Sequence, residues 1–105
     1  MPKFTFKEKL REKKDFERLF KYRKCFFISN FIIYICPNGL AFSRLGISIK
    51  RTVAKAYKRN RMKRLIREFF RLNKPNNNYD ILIVVRQDFG NKKLAEVSEE
   101  LRKLW

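Results

Sequence analysis

Nine of the eighteen residues from Lys50 to Arg67, K-R-T-V-A-K-A-Y-K-R-N-R-M-K-R-L-I-R, are Lys or Arg, and no Asp or Glu occurs anywhere from Arg18 to Arg67. Arginine presents a planar fork that grips phosphate through two hydrogen bonds, and lysine adds a mobile point charge. A solvated helix face normally mixes signs, because like charges one turn apart repel. A span this one-sided reads as a surface for a polyanion, with RNA the first candidate. A helix carrying Arg59, Arg61, Lys63, Arg64 and Arg67 can meet several phosphates at once. With roughly five to eight phosphates neutralised, affinity would fall by about 0.7 to 0.9 log units per phosphate for each log unit of salt. A basic surface with no ligand is the bland alternative, and the missing acids disfavour it.

Other chemistry is thin. The chain has no His, and so lacks the usual imidazole base, proton shuttle and metal ligand. Its ten acids are scattered: Glu8, Glu12, Asp15 and Glu17 precede the acid-free span, and six follow from Glu68 onward. Asp15 and Glu17 stand two apart in an expected helix and diverge. Asp80 and Asp88 bracket an expected strand, and caps and solvated surface are the favoured reading. Three well-separated glycines build no phosphate loop. Cys25 and Cys36 match no zinc spacing and read as reduced, partly buried thiols rather than a disulfide. No catalytic residue and no protein-held metal is expected.

Three aromatics leave two readings open. Phe16 and Phe20 are one helical turn apart, and Tyr34 falls on a strand expected to pack nearby. Such residues are core by default. Exposed between a helix and a sheet, and rimmed by Lys and Arg, they would make a stacking groove for single-stranded RNA. Pattern alone does not choose between core and groove.

The elements that must position these groups fit one domain of 105 residues, 1–105. At 45% hydrophobic and 15% aromatic residues the chain is too apolar for a disordered basic tail, so its formal charge of +17 is mounted on a folded body. No secretory signal or membrane-spanning stretch is apparent, and a cytoplasmic protein is expected. Residues 1–12 read as a mobile basic arm. Asp15 is a candidate N-cap for a helix over 15–23, with Phe16, Leu19, Phe20 and Arg23 at helical spacing. Residues 26–36 read as one strand, both faces covered or one kept for binding. Pro37, Asn38 and Gly39 form a turn, and 40–49 continues extended, with Gly46 a bulge or a close-approach site. The basic span turns helical, with Met62, Leu65, Ile66 and Phe69 as its apolar stripe and Asn60, Arg64, Arg67 and Arg71 opposite. Residues 73–78 form a loop, 79–86 a central strand, and Leu94, Val97, Leu101 and Leu104 mark a last helix.

At this point the residues become recognisable. R-L-G-I-S-I at 44–49 and A-K-A-Y-K-R-N-R-M-K-R-L-I-R-E at 54–68 closely resemble the signature of the bacterial ribonuclease P protein component. D-F-E-R-L-F at 15–20 resembles that family's first helix, and Y-D-I-L-I-V-V-R at 79–86 the strand after its basic helix. The resemblance implies an α+β fold, an αβββαβα two-layer sandwich similar to domain 2 of a ribosomal small-subunit protein. It further implies a left-handed βαβ crossover carrying the basic helix, where sequence rules alone favour the right-handed form.

The same resemblance implies a function: the accessory subunit of a ribonucleoprotein endoribonuclease that removes the 5′ leader from precursor tRNA. The RNA subunit would do the chemistry with Mg²⁺ that it holds itself. Lys58, Arg59, Asn60, Arg61, Lys63, Arg64 and Arg67 match the helix facing the ribonuclease P RNA. Phe16, Phe20 and Tyr34 match the cleft for the leader, with Lys50 and Arg51 on its rim. The groove reading of the aromatics gains accordingly. Thr52 and Ala54 depart from a basic residue and a glycine found in many relatives. No membrane and no obligate protein partner are expected. A basic ribosomal or other structural RNA-binding protein is the alternative; it would explain the charge but not the Arg59-Asn60-Arg61 match.

Overall fold

The computed structural model of the chain describes residues 8–28, 30–75, 78–89 and 91–103. The elements are α1 (Lys13–Tyr22), β1 (Cys25–Ile28), β2 (Phe31–Pro37), β3 (Arg44–Ile49), α2 (Ala56–Leu72), β4 (Tyr79–Val85) and α3 (Leu94–Leu101). This is the α+β order expected, αβββαβα. The strands form one mixed sheet in the order β1-β2-β4-β3. β1 pairs antiparallel with β2, β2 antiparallel with β4, and β3 parallel with β4. β4 therefore has neighbours on both sides and cover on both faces, which is why its sequence is almost continuously apolar.

Strand alternation divides the sheet into two working faces. Phe31 and Ile33 of β2, Ile81 and Ile83 of β4, and Leu45 of β3 point toward α2 and α3. There they pack with Met62, Ile66, Phe69, Phe70, Val97 and Leu101 in the main core. The alternate residues Tyr34, Cys36, Leu82 and Val84 face the other way and join Leu10, Phe16 and Leu19 in a smaller cluster beneath α1. The apolar stripe of α2 is Met62, Ile66, Phe69 and Phe70, all fully buried, while Leu65 is half-buried at its edge. Phe70 thus belongs to a stripe that sequence periodicity assigned to the other four.

Several expected features take a different form. The strand expected over 26–36 is a hairpin, β1 and β2, closing at the Ile28–Phe31 pair. Ser29 and Asn30 interrupt the apolar run here, but they are not one of the Gly-containing pairs that mark a two-residue hairpin. Helix α1 starts two residues early, its N-cap is Glu12, and Asp15 lies buried inside the first turn. Arg23 ends the helix in the left-handed conformation, at φ 61°. Only 44–49 of the extended 40–49 segment is strand. Asn38 shapes the preceding loop, its Oδ1 accepting from the Leu40 amide at 2.9 Å and its Nδ2 donating to the Phe42 carbonyl at 3.0 Å.

The arm expected to be mobile over 1–12 is partly docked. Lys9 bridges to Leu45 at the free edge of β3, and the Leu10 amide donates to the Leu45 carbonyl at 2.9 Å. Glu8 is buried and paired with Lys74 at 2.6 Å. Residues 1–7 and Leu104 lie outside the described residues.

Candidate nucleic-acid interface

On α2 the basic side chains spread over more than half the helix circumference, because consecutive residues are about 100° apart. Lys58 and Arg59 fall beside the apolar stripe and are half-buried. Lys58 is engaged by Asp88 at 3.3 Å. Asn60, Arg61, Arg64 and Arg67 are exposed. Arg61 donates to the Lys92 carbonyl at 3.2 Å, which ties it toward the segment before α3. On the opposite flank Lys63 and Arg67 share a recess with Lys9, Arg11 and the Leu45–Ile47 backbone of β3. Four cations thus converge where the docked arm meets the helix. Of the seven expected contact residues, Asn60, Arg61, Lys63, Arg64 and Arg67 form a continuous cationic front, whereas Lys58 and Arg59 sit at its root. One acid lies on the rim: Glu68 is paired with Arg71, whose hydrogen bond holds its carboxyl below the ordinary range.

The second surface lies on the other face of the sheet. Phe20 is 50% exposed, and its ring meets Tyr34 edge-on, with centroids 5.0 Å apart and planes at 89°. Phe16 is brought near them but turns inward: its ring reaches over Gly46, where a Cβ would stand 3.2 Å from Phe16 Cε1. Gly46 is accordingly a close-approach site, and Phe16 forms the cleft floor rather than an open platform. Burial first, and then the Cys25 thiol, push the Tyr34 phenol above its ordinary pKa, so it stays protonated and able to donate.

Lys50 and Arg51 are exposed and follow β3 directly. They do not touch the aromatic pair. Gly46 is level with Tyr34 across the sheet through Leu82. Lys50 therefore lies about 13 Å further along and about 10 Å across from Tyr34. The two groups mark opposite ends of one open sheet surface, a span that suits an extended strand of a few nucleotides.

An ion cluster holds α1 in the position that forms this cleft. Asp80, fully buried, accepts from Arg44 Nε at 2.8 Å and Nη2 at 2.7 Å, from Asn38 Nδ2 at 3.0 Å, and from Arg18 of α1. Asp15 of α1 adds a contact to Arg44 at 3.1 Å. These hydrogen bonds hold the Arg44 guanidinium above its already high pKa. Among the described residues no group of three or more His, Cys, Asp or Glu side chains could hold a metal ion. Asp15, Asp80, Asp88 and Glu8 are each engaged by an arginine or a lysine. Both cysteines are free thiols. No helix among these residues is long and apolar enough to cross a membrane.

The sequence profile of the ribonuclease P family matches residues 4–105. The chain belongs to the ribonuclease P family. The ribonuclease P protein component of Syntrophus aciditrophicus is 39% identical over 105 residues, spanning 96% of this chain and 88% of that relative. That of Thermotoga maritima is 41% identical over 100 residues, spanning 93% and 81%. Two solved structures have the same fold. The ribonuclease P protein from Thermotoga maritima superposes with a TM-score of 0.81 at 36% identity, covering 92% of this chain and 94% of that one. The one from Staphylococcus aureus gives 0.80 at 28% identity, covering 91% and 90%.

Four residues join these two surfaces without a signal in the sequence. Lys9 and Arg11 reach α2 only because the arm docks on β3. Phe27 stands on the cleft face because the hairpin turns where it does, and Arg86 because it continues the even-numbered positions of β4. The Arg44–Asp80 pair links residues 36 apart in the chain, and no local pattern announces it.

Proposed function

We propose that the chain is the protein subunit of a bacterial-type ribonuclease P, acting in the cytoplasm. It holds the single-stranded 5′ leader of precursor tRNA across the open sheet face and docks the front of α2 on the ribonuclease P RNA. The RNA carries the catalytic Mg²⁺ and performs the hydrolysis; the protein supplies position and charge. The observation that carries this reading is the use of one sheet for two polyanion surfaces. An aromatic pair, exposed Phe20 and half-buried Tyr34, lies on one face, and the cationic front of α2 lies over the other. Two surfaces of different character suit two RNAs: bases stack on the rings, and duplex or folded RNA presents phosphates to the helix. The names carried by relatives and solved neighbours support the same reading, as does the engagement of the acids by cations.

The deciding experiment is reconstitution with a bacterial ribonuclease P RNA at low magnesium, assaying cleavage of precursor tRNA. Stimulation that needs both components is expected. Cleavage by the protein alone, or no stimulation, would overturn the proposal.

A further inference from the structure

Phe27 is 69% exposed, the most exposed of the large apolar side chains among the described residues. It lies on β1 in register with Ile32, two residues from Cys25, which pairs with Tyr34. Strand alternation therefore puts Phe27 on the cleft face, diagonal to Tyr34 and about 7–8 Å from it. Helix α1 ends at Tyr22 and does not reach this end of the sheet. The Arg86 guanidinium stands over the Phe27 ring at 5.9 Å from its centroid. Its backbone is fixed by the Arg86 amide, which donates to the Asn30 carbonyl at 2.8 Å. Arg86 is one residue past the Ile49–Val85 pair, as Lys50 is on β3, so it continues the basic rim toward the hairpin. Half-buried Ile32 and Val84 form the floor between.

Resting on the leader-binding reading above, we infer that Phe27 and Arg86 form a second stacking site for single-stranded RNA. It takes the leader nucleotide next to the one held at Phe20 and Tyr34. An exposed ring beside a planar cation offers a π-face to a base of any identity and a positive charge to its phosphate. The occupant is RNA rather than an apolar partner because Arg86 stands over the ring and links it to the basic rim of Lys50 and Arg51 across the sheet. The site continues a cleft that already has one aromatic platform. It would lengthen the leader footprint without adding base specificity.

The test uses the reconstituted holoenzyme and precursors whose leaders lengthen one nucleotide at a time. Wild-type affinity should rise in steps. Phe27→Ala should remove one step, weakening longer-leader substrates by about 5- to 150-fold, the range for losing one stacked base. That step should lie one nucleotide beyond the step lost in Phe20→Ala. Phe27→Trp should keep the step, and Arg86→Lys should lose part of it, because charge is retained without the planar stack. Phe27 is exposed, so the variant should fold, and its melting curve checks this. If Phe27→Ala matches wild type at every length while Phe20→Ala loses a step, the second site is wrong and the leader cleft stands. If wild type itself ignores leader length, both fail.

Discussion

Arg44 grips Asp80 through two hydrogen bonds, from Nε at 2.8 Å and Nη2 at 2.7 Å, on a carboxylate with no solvent exposure. The pair joins the edge strand β3 to the central strand β4, and Arg18 and Asp15 extend it to α1. Replacing Asp80 by Ala would leave Arg44 without its main partner in a largely desolvated setting. Removing one member of such a pair costs about 3–5 kcal/mol. Asp80→Ala should therefore lower the denaturant midpoint strongly, and Asp80→Asn less so. A midpoint within error of wild type for both would mean the cluster contributes little.

The Phe20–Tyr34 pair makes a prediction about discrimination. Phe20→Ala should weaken binding of leader-bearing precursor by about 1–3 kcal/mol, the scale of one stacked base. Mature tRNA, which lacks the leader, should bind as before. Tyr34→Phe keeps the ring and removes the phenol, so a smaller loss is expected. Equal losses for precursor and mature tRNA would assign Phe20 to packing.

Charge on α2 is best read through salt. Arg64→Ala with Arg67→Ala should flatten the slope of log affinity for the ribonuclease P RNA against log salt by about 1.4 to 1.8, two phosphates' worth. Both side chains are exposed, so the melting curve should move little. An unchanged slope would show that these two arginines are not at the RNA.

Gly46 tests how closely α1 must sit. A Cβ there would meet Phe16 Cε1 at 3.2 Å, Leu10 Cβ at 3.3 Å and Leu82 Cδ1 at 3.3 Å. Gly46→Ala should destabilise by about 1–3 kcal/mol through overpacking. It should also weaken precursor binding, since Phe16 and Phe20 would be displaced together. A change in stability with precursor affinity intact would separate helix seating from cleft geometry.

Cys36 gives a pH prediction. Burial pushes its thiol above the ordinary value. The folded form therefore keeps the proton where the unfolded chain would lose it. Its contribution to stability is present below the free-thiol pKa of about 8.5 and is lost as pH rises through the folded value. A thiol reagent at neutral pH should label half-buried Cys25 first and reach Cys36 only on unfolding. Equal labelling rates would contradict this.

How much the sequence disclosed depends on the range of the determining contacts. β4 was readable because an interior strand covered on both faces must be apolar throughout. Most of the α2 stripe was readable because its period is local, although the burial of Phe70 depends on where α3 lies. The meeting of Phe20 with Tyr34 was legible from their spacing and strand placement, but the inward turn of Phe16 and the approach of Gly46 depend on how α1 lies across the sheet. The β1–β2 hairpin was hidden because the polar pair between its two apolar strands, Ser29-Asn30, lacks the glycine that marks a tight turn. Asp15 looked like a cap because its arginine partner comes from β3, which only the tertiary fold brings near. Docking of Lys9 on β3 was likewise invisible, since a basic segment with little periodicity looks the same attached or free.

Parity along the strands has an evolutionary consequence. In β2, β3 and β4 alike, odd-numbered residues face α2 and α3, and even-numbered residues face α1 and the aromatic cleft. Point mutations at exposed or half-buried even positions such as Ile32, Ser48 and Val84 change the surface of the cleft while the main core keeps its volume. A single-residue insertion or deletion inside one of these strands exchanges the two sets, sending core residues to the cleft and cleft residues to the core. Lineages of this protein should therefore diverge in leader preference by substitution, with length changes confined to the connections between strands.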